Sequence, residues 1–274
     1  DPDNVIINQI GGVSLSGNYY LYNLRTGETK LLFKSGGRAS PGLFNPRNGE
    51  LLTTSQLEPI GPSEYEQRIL ILNPKSGEFE TQATLTTKLS ERYTTEIVGL
   101  DEATGKYYVL TDRFSDHVQA WMYDPSDQKF DNEPLLSHPQ YSIGGLILGS
   151  QPSNFNKILG YVVDGPQREV TYVEPRMQAI HAMLKKAFPG QSVNISGYND
   201  DMSKVLFASS GAQNPPSYHV LVDRKSIVTL GSQRPWIDEK QVGEQRWVNY
   251  PARDGLNIPA ILDLPVGWKA GDGP

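Results

Sequence analysis

The feature that most constrains this chain is a turn that returns about every fifty residues. Its five copies read Tyr22-Asn23, Leu72-Asn73-Pro74, Tyr123-Asp124-Pro125, Val173-Glu174-Pro175 and Val222-Asp223-Arg224. The polar residue stands at 23, 73, 124, 174 and 223, so successive spacings are 50, 51, 50 and 49. Each copy ends a short run with strand character: 18–22, 68–72, 120–123, 168–173 and 218–222. A fixed period of this size marks a repeat architecture, in which each unit covers the apolar face of the next. It also directs function to loops at one end of the repeats rather than to any single repeat.

Aligned on that turn, the copies resolve into four strands per unit. In the second unit these are 41–44, 50–55, 68–72 and 79–85; in the third, 95–100, 107–111, 120–123 and 129–136. The fifth runs 193–198, 205–208, 218–222 and 227–230. Asn48-Gly49 and Thr104-Gly105 mark the first hairpin of their units, and Gly27-Glu28 and Gly77-Glu78 mark the last. Short runs rich in Val, Ile, Tyr, Phe and Thr, parted by Gly, Asn, Asp and Pro, suit antiparallel pairing. The prediction is an all-β fold, a β-propeller of four-stranded blades with about five repeats present. A β-sandwich is the alternative, since turns every ten residues suit it too; five turns within one residue of a common period favour the propeller.

Two copies are irregular. The first has room for only its last three strands, because Asp1 falls where Leu51 stands in the second. The fourth replaces its outer strand with a helix: Pro175 suits a first turn, Met177, Ile180, Leu184 and Phe188 recur at helical spacing, and Pro189-Gly190 stops it. The stripe is expected to pack on the rim of its blade, with a partner domain as the other possibility. An arc of about five blades leaves its end blades uncovered, and exposed edges invite pairing. Either further protein covers them, or the chain self-associates through its open edges.

After Gly231 the pattern changes. Residues 232–246 are polar and irregular and read as a linker between a propeller segment, 1–231, and a hairpin, 247–274. That hairpin has strands at 247–251 and 258–264 around Asp254-Gly255. A lone two-stranded hairpin is marginal in water, so it is expected to belong to something larger. The chain opens on Asp1 rather than Met, so its natural start is expected to lie elsewhere.

Here the residues carry a resemblance. The segment Tyr250-Pro-Ala-Arg-Asp-Gly-Leu-Asn-Ile-Pro-Ala-Ile-Leu-Asp-Leu-Pro265 resembles the opening of the α/β-hydrolase domain of the prolyl oligopeptidase family, nearest its acylaminoacyl-peptidase and dipeptidyl-aminopeptidase branch. Arg234-Pro235-Trp236 and the turn Tyr123-Asp124-Pro125 are similar to that branch as well. In this family a propeller of seven or eight blades caps a serine-hydrolase domain, admitting short or unstructured peptides and excluding folded proteins. The resemblance implies short peptides as substrates of a complete enzyme and a hydrolase domain as the partner. The chain departs from the family pattern in holding four blades and most of a fifth, and in stopping where the hydrolase begins.

The family's chemistry is not written in these residues. No G-x-S-x-G nucleophile elbow occurs; the nearest string is Gly12-Val13-Ser14-Leu15-Ser16, whose fifth position is not glycine. His117, His138, His181 and His219 lie far apart, none at metal-ligand spacing, so no metal or other cofactor is expected. Net charge is −6, against a nucleic-acid surface. No apolar run approaches the roughly eighteen residues of a membrane span, and no segment resembles a signal peptide. With no cysteine in the chain, cytoplasm and periplasm are equally compatible.

What remains is the loop between second and third strands. It holds Arg113-Phe-Ser-Asp116-His117 in the third unit, Glu64-Tyr65-Glu66 in the second and Gln167-Arg168-Glu169 in the fourth. In a propeller these loops share one face, so Glu64, Tyr65, Arg113, Asp116 and Arg168 are the candidates for a substrate- or domain-facing rim; solvated loop charge is the plain alternative. The leading expectation is a non-catalytic, substrate-gating propeller portion of a serine exo- or oligopeptidase. A stand-alone interaction module is the alternative. A five-bladed glycosidase would need paired carboxylates on innermost strands, and 193–198 and 145–148 offer none.

Overall fold

A computed structural model of the chain describes residues 3–10, 17–34, 36, 38–165 and 168–271. Gly12-Val13-Ser14-Leu15-Ser16 and Gln167 lie outside the described residues. The chain divides into two compact units, residues 1–157 and 158–274. In the first unit, β1 (Asn4–Ile10), β2 (Gly17–Asn23) and β3 (Thr29–Phe33) form a sheet in that order. The second repeat orders β4 (Ala39–Pro41), β5 (Thr53–Pro59), β6 (Tyr65–Leu72) and β7 (Phe79–Thr81), with β8 (Thr87–Lys88) added to β6. The third orders β9 (Thr95–Leu100), β10 (Tyr107–Thr111), β11 (Gln119–Asp124) and β12 (Lys129–Phe130), and β13 (Ser142–Leu148) follows. In the second unit come the hairpin β14 (Ile158–Asp164) and β15 (Arg168–Tyr172), then α1 (Pro175–Ala187). The sheet β16 (Ser192–Tyr198), β17 (Lys204–Ser210), β18 (Ser217–Val222), β19 (Ser226–Ser232) completes the repeats, and β20 (Gln245–Pro251) with β21 (Asn257–Asp263) forms a separate hairpin. These antiparallel sheets are the blades of a β-propeller.

Local hydrogen bonding explains the period. Asn23, Asn73 and Asp124 each accept, on a side-chain oxygen, the amide of the residue two places on, at 2.9 Å in every case. Four turns close alike: Gly27, Gly49, Gly77 and Gly105 donate to the carbonyls of Asn23, Asn45, Asn73 and Asp101 at 2.8–2.9 Å. All four glycines sit at φ of +73° or +74°, where a side chain is unwelcome. The fourth copy keeps its polar residue for another purpose. Glu174 caps α1, accepting the Met177 amide at 2.7 Å. The fifth is different again: Asp223 and Arg224 both have positive φ, which makes a tight primed turn between β18 and β19. One sequence position thus ends the third strand of every repeat by three distinct devices.

The sheets are held by each other. Ile69 and Ile71 of β6 and Leu85 meet Tyr107 and Val109 of β10 and Tyr123 of β11 in one buried cluster spanning the second and third repeats. Inside it the Tyr123 hydroxyl donates to Gln82 Oε1 at 2.9 Å, so neither polar group is stranded. Burial pushes the Tyr107 hydroxyl up to about 12 and raises that of Tyr123 further. In the second unit, Met177, Ile180 and Leu184 of α1 are buried as the helical spacing predicts, and Phe188 sets its ring on Phe207 of β17 at 5.5 Å.

Several predicted boundaries move. The strand expected at 79–85 stops at Thr81, because the chain turns at Ala83–Leu85 to sink Leu85 into the shared core. That expected at 129–136 stops at Phe130, and Leu136 returns only as an isolated bridge to Ala120. Around the first hairpin of the second repeat, 41–44 becomes Ala39–Pro41 plus a Phe44–Leu51 bridge, since Thr53 binds Gly42 and Leu43 amides with its carbonyl and hydroxyl. The linker carries a short turn at Glu239–Gln241, and β20 starts at Gln245.

The turn glycines give a direct test. A Cβ on Gly105 would meet nothing within 4 Å, so Gly105→Ala should cost only the left-handed penalty, about 1–2 kcal/mol. Gly105→Asn should recover most of it. Urea unfolding of both variants checks this; equal loss in both would contradict the turn assignment.

Candidate functional site

The two ends of the sheets differ in what their residues are free to do. At one end lie the turns at 23–27, 45–49, 73–77, 101–105 and 124–128, most of whose polar side chains are consumed by turn geometry or by ion pairs. Arg47 grips Glu102 with two bonds of 2.6 Å, which holds the Glu102 carboxyl below its usual range. At the other end the connections are irregular: 60–64, 86–94 and 112–118. Loops of that kind are where binding residues collect.

Within the first unit, the connector at 82–94 draws the candidates of two repeats together. The Glu64 carboxylate accepts Ser90 Oγ at 3.2 Å and lies 3.9 Å from Lys88 Nζ. Arg113 reaches from the third repeat to the connector, donating to the carbonyls of Thr84 and of Thr86, the latter at 3.0 Å. Its guanidinium also stands 5.8 Å from the Tyr93 ring centre. Asp112 accepts the Thr94 amide at 2.7 Å, and Gln128 binds the Ala83 amide and the Thr84 hydroxyl. Asp116 is exposed at the tip of the same loop as Arg113. Beside it Phe114 is half exposed and packs on Trp121 at 4.7 Å.

Four of the expected loop residues are strand. Tyr65 pairs with Pro59 and Glu66 with Glu58, because the β5–β6 ladder runs on past the apolar residues to a turn in which Ile60 N–H bonds Glu64 C=O. Arg168 and Glu169 likewise lie in β15, where Arg168 faces Asp164 across the ladder at 3.5 Å in the second unit. Glu64 and Arg113 therefore share a connector, Tyr65 sits one rung inside, and Arg113 serves first as a clamp between repeats. The rim presents carboxylates, an amine and exposed aromatic rings. Among the described residues no group of three or more His, Asp or Glu is placed to hold a metal ion.

One pairing escaped the sequence reading altogether. Ser209 Oγ lies 3.0 Å from His219 Nε2, and His219 Nδ1 lies 3.1 Å from Thr229 Oγ1. The spacing is that of a nucleophile and its base, but a threonine stands where a triad needs a carboxylate. Both side chains are buried, at 3% and 4% exposure, and the imidazole lies against Phe207 at 4.9 Å and Phe188 at 4.8 Å. The three residues sit on adjacent strands 10 residues apart, a coincidence of register with no local sequence signal. It ties β17, β18 and β19 together across the sheet.

Comparison with known proteins agrees with the fold. No protein-family model matches the chain, and no curated protein matches it in sequence. A solved structure from a structural and mechanistic analysis of two prolyl endopeptidases matches with a TM-score of 0.54 at 12% identity, over 97% of this chain and 46% of its own. Prolyl oligopeptidase B from Galerina marginata, bound to a 35mer hydrolysis and macrocyclization substrate, matches with a TM-score of 0.51 at 10% identity, over 94% of this chain and 36% of its own. The chain spans less than half the length of these structures. The likeness establishes a β-propeller fold of the prolyl oligopeptidase kind.

Burial lowers the proton affinity of His219, and of His181. In the unfolded chain each imidazole titrates near its ordinary value of 6.5. Below that pH the unfolded state gains protons the folded state refuses, so this stability is complete above about 6.5 and declines as pH falls. The decline is at most about 1.4 kcal/mol per pH unit for each histidine. Urea midpoints should fall from about pH 7.5 to about pH 5.5, and less so in His219→Gln. A flat wild-type profile would show that His219 protonates in place.

Proposed function

We propose that this chain is the substrate-gating propeller portion of a serine peptidase that cleaves short peptides, with catalysis supplied by an α/β-hydrolase domain beginning at β20–β21. The observation that carries this reading is the hairpin itself. Trp247 and Ile261 pair on one face, and Tyr250, Ile258 and Leu262 lie on the other. Exposure reaches 52% at Tyr250 and 54% at Ile261. Strands apolar on both faces belong inside a sheet covered on both sides, as in α/β domains. The residues of 250–265, similar to the family's hydrolase opening, support the acylaminoacyl-peptidase and dipeptidyl-aminopeptidase branch. The propeller's part is to admit short or extended peptides past the Glu64–Arg113 rim, and acyl transfer falls to a Ser-His-Asp triad in the hydrolase domain.

Purified 1–274 should hydrolyse neither aminoacyl- nor acylaminoacyl-nitroanilides. A polypeptide extended through the coding sequence downstream should do so, and should cleave an unfolded protein far faster than its folded form. Turnover by 1–274 that survives repurification and is blocked by a serine-directed phosphonate would overturn the assignment. A downstream sequence without a histidine-glycine-glycine segment would favour the interaction module instead.

A further inference from the structure

We infer that His138 is a proton-sensitive latch, which closes the connection at 137–142 when its imidazole is neutral and releases it in mild acid. The connection carries the chain from the Leu136–Ala120 bridge to β13. Within it, His138 Nδ1 accepts two backbone amides, of Gln140 at 3.2 Å and of Tyr141 at 3.1 Å. The imidazole also stacks on the Tyr141 ring at 5.2 Å. The local sequence explains the turn. Pro139 has a fixed φ and no N–H to compete for the acceptor, and it holds the residue before it extended. The side chain of His138 is thereby set against the two amides beyond the proline.

The same turn recurs in this chain with a different acceptor. Asn23 Oδ1 accepts the amides of Arg25 and Thr26 at 2.9 and 2.8 Å. In Asn73-Pro74-Lys75 and Asp124-Pro125-Ser126 a side-chain oxygen of the first residue accepts the amide of the third, at 2.9 Å in both. Amide and carboxylate oxygens keep their lone pairs through the neutral range, whereas imidazole is the side chain that changes charge between pH 5 and 8. To accept, Nδ1 must be bare, which puts the ring's one proton on Nε2. A second proton can bind only at Nδ1, where it would point into two N–H donors. Closure and protonation therefore exclude each other. Stacking on Tyr141 favours an imidazolium but replaces neither backbone bond.

What the latch holds is the loop at 112–118. Val118 N–H donates to Ser142 Oγ at 3.1 Å, and its carbonyl accepts Ile143 N–H at 2.8 Å. The loop bearing Phe114 and Asp116 is thus tied to the end of the same connection. No charged side chain bonds to the His138 ring among the described residues. On the elements packed against the connection the titratable and charged groups are Asp112, Arg113, Asp116 and His117 of that loop, Glu96 of β9, and Tyr123 and Asp124 of β11. Asp112, Arg113 and Asp124 are committed to other bonds, and Tyr123 is sealed in the core. Glu96, Asp116 and His117 are the groups a test must separate from His138. The latch is independent of the peptidase reading.

Amide and ring resonances of 1–274, followed by NMR from about pH 7.5 to about pH 5.5, test this. The Gln140 and Tyr141 amides should shift together along the titration curve of the His138 ring, and the Val118 amide should follow. Arg25 and Thr26, held by Asn23, should stay in place. His138→Asn supplies the acceptor used at Asn23 and does not titrate, so its Gln140 and Tyr141 amides should keep their bonded positions throughout. His138→Ala should show the unbonded positions at every pH. Gln140 and Tyr141 amides that hold still while the ring titrates would overturn the inference, as would a ring that stays neutral over the whole range. So would equal shifts in wild type and His138→Asn, which would assign the effect to Glu96, Asp116 or His117.

Discussion

The structure rests on one requirement: a four-stranded sheet of this length has two faces and cannot bury either by itself. Each repeat is therefore stable only against its neighbour. The cluster of Ile69, Ile71, Leu85, Tyr107, Val109 and Tyr123 is where that requirement is met between the second and third repeats. Burying aliphatic or aromatic side chains of this size contributes about 1.5–3 kcal/mol apiece, more than any exposed ion pair in the chain can supply. The hydrogen bond from Tyr123 to Gln82 shows how strict the packing is, because both groups are sealed and each satisfies the other.

The same packing fixes the rim. Once Leu85 is drawn into the core, the chain after it must cross to the third repeat, and residues 86–94 pass between the loops at 60–64 and 112–118. Arg113 then clamps the connector by its carbonyls, and Glu64 meets Ser90. The polar character of this end follows from its being the end not used for tight turns. Its residues are held by backbone contacts, which leaves Phe114, Tyr93 and Asp116 outward.

Much of this was legible in the sequence, for a physical reason. The asparagine or aspartate that opens a turn and the glycine that closes it act within five residues, so their signal is local and recurs through the first three repeats. The first three strands of the third repeat fall close to their predicted ends for the same reason. What depended on distant register was hidden. Tyr65 and Glu66 read as loop because nothing nearby reveals that β5 and β6 stay paired beyond the apolar residues. Leu85 read as the end of a strand, when its place in the core is dictated by a sheet that follows it. The His219 contacts with Ser209 and Thr229 join three strands and leave no trace in spacing.

The most direct measurement is hydrogen exchange on Leu85→Ala, which empties the centre of the shared cluster. If neighbouring sheets stabilise each other, amides of β6 and β10 should lose protection together and by similar free energies, within the roughly 2–5 kcal/mol of such a truncation. Loss confined to β6, with β10 protected as in the wild type, would contradict the account.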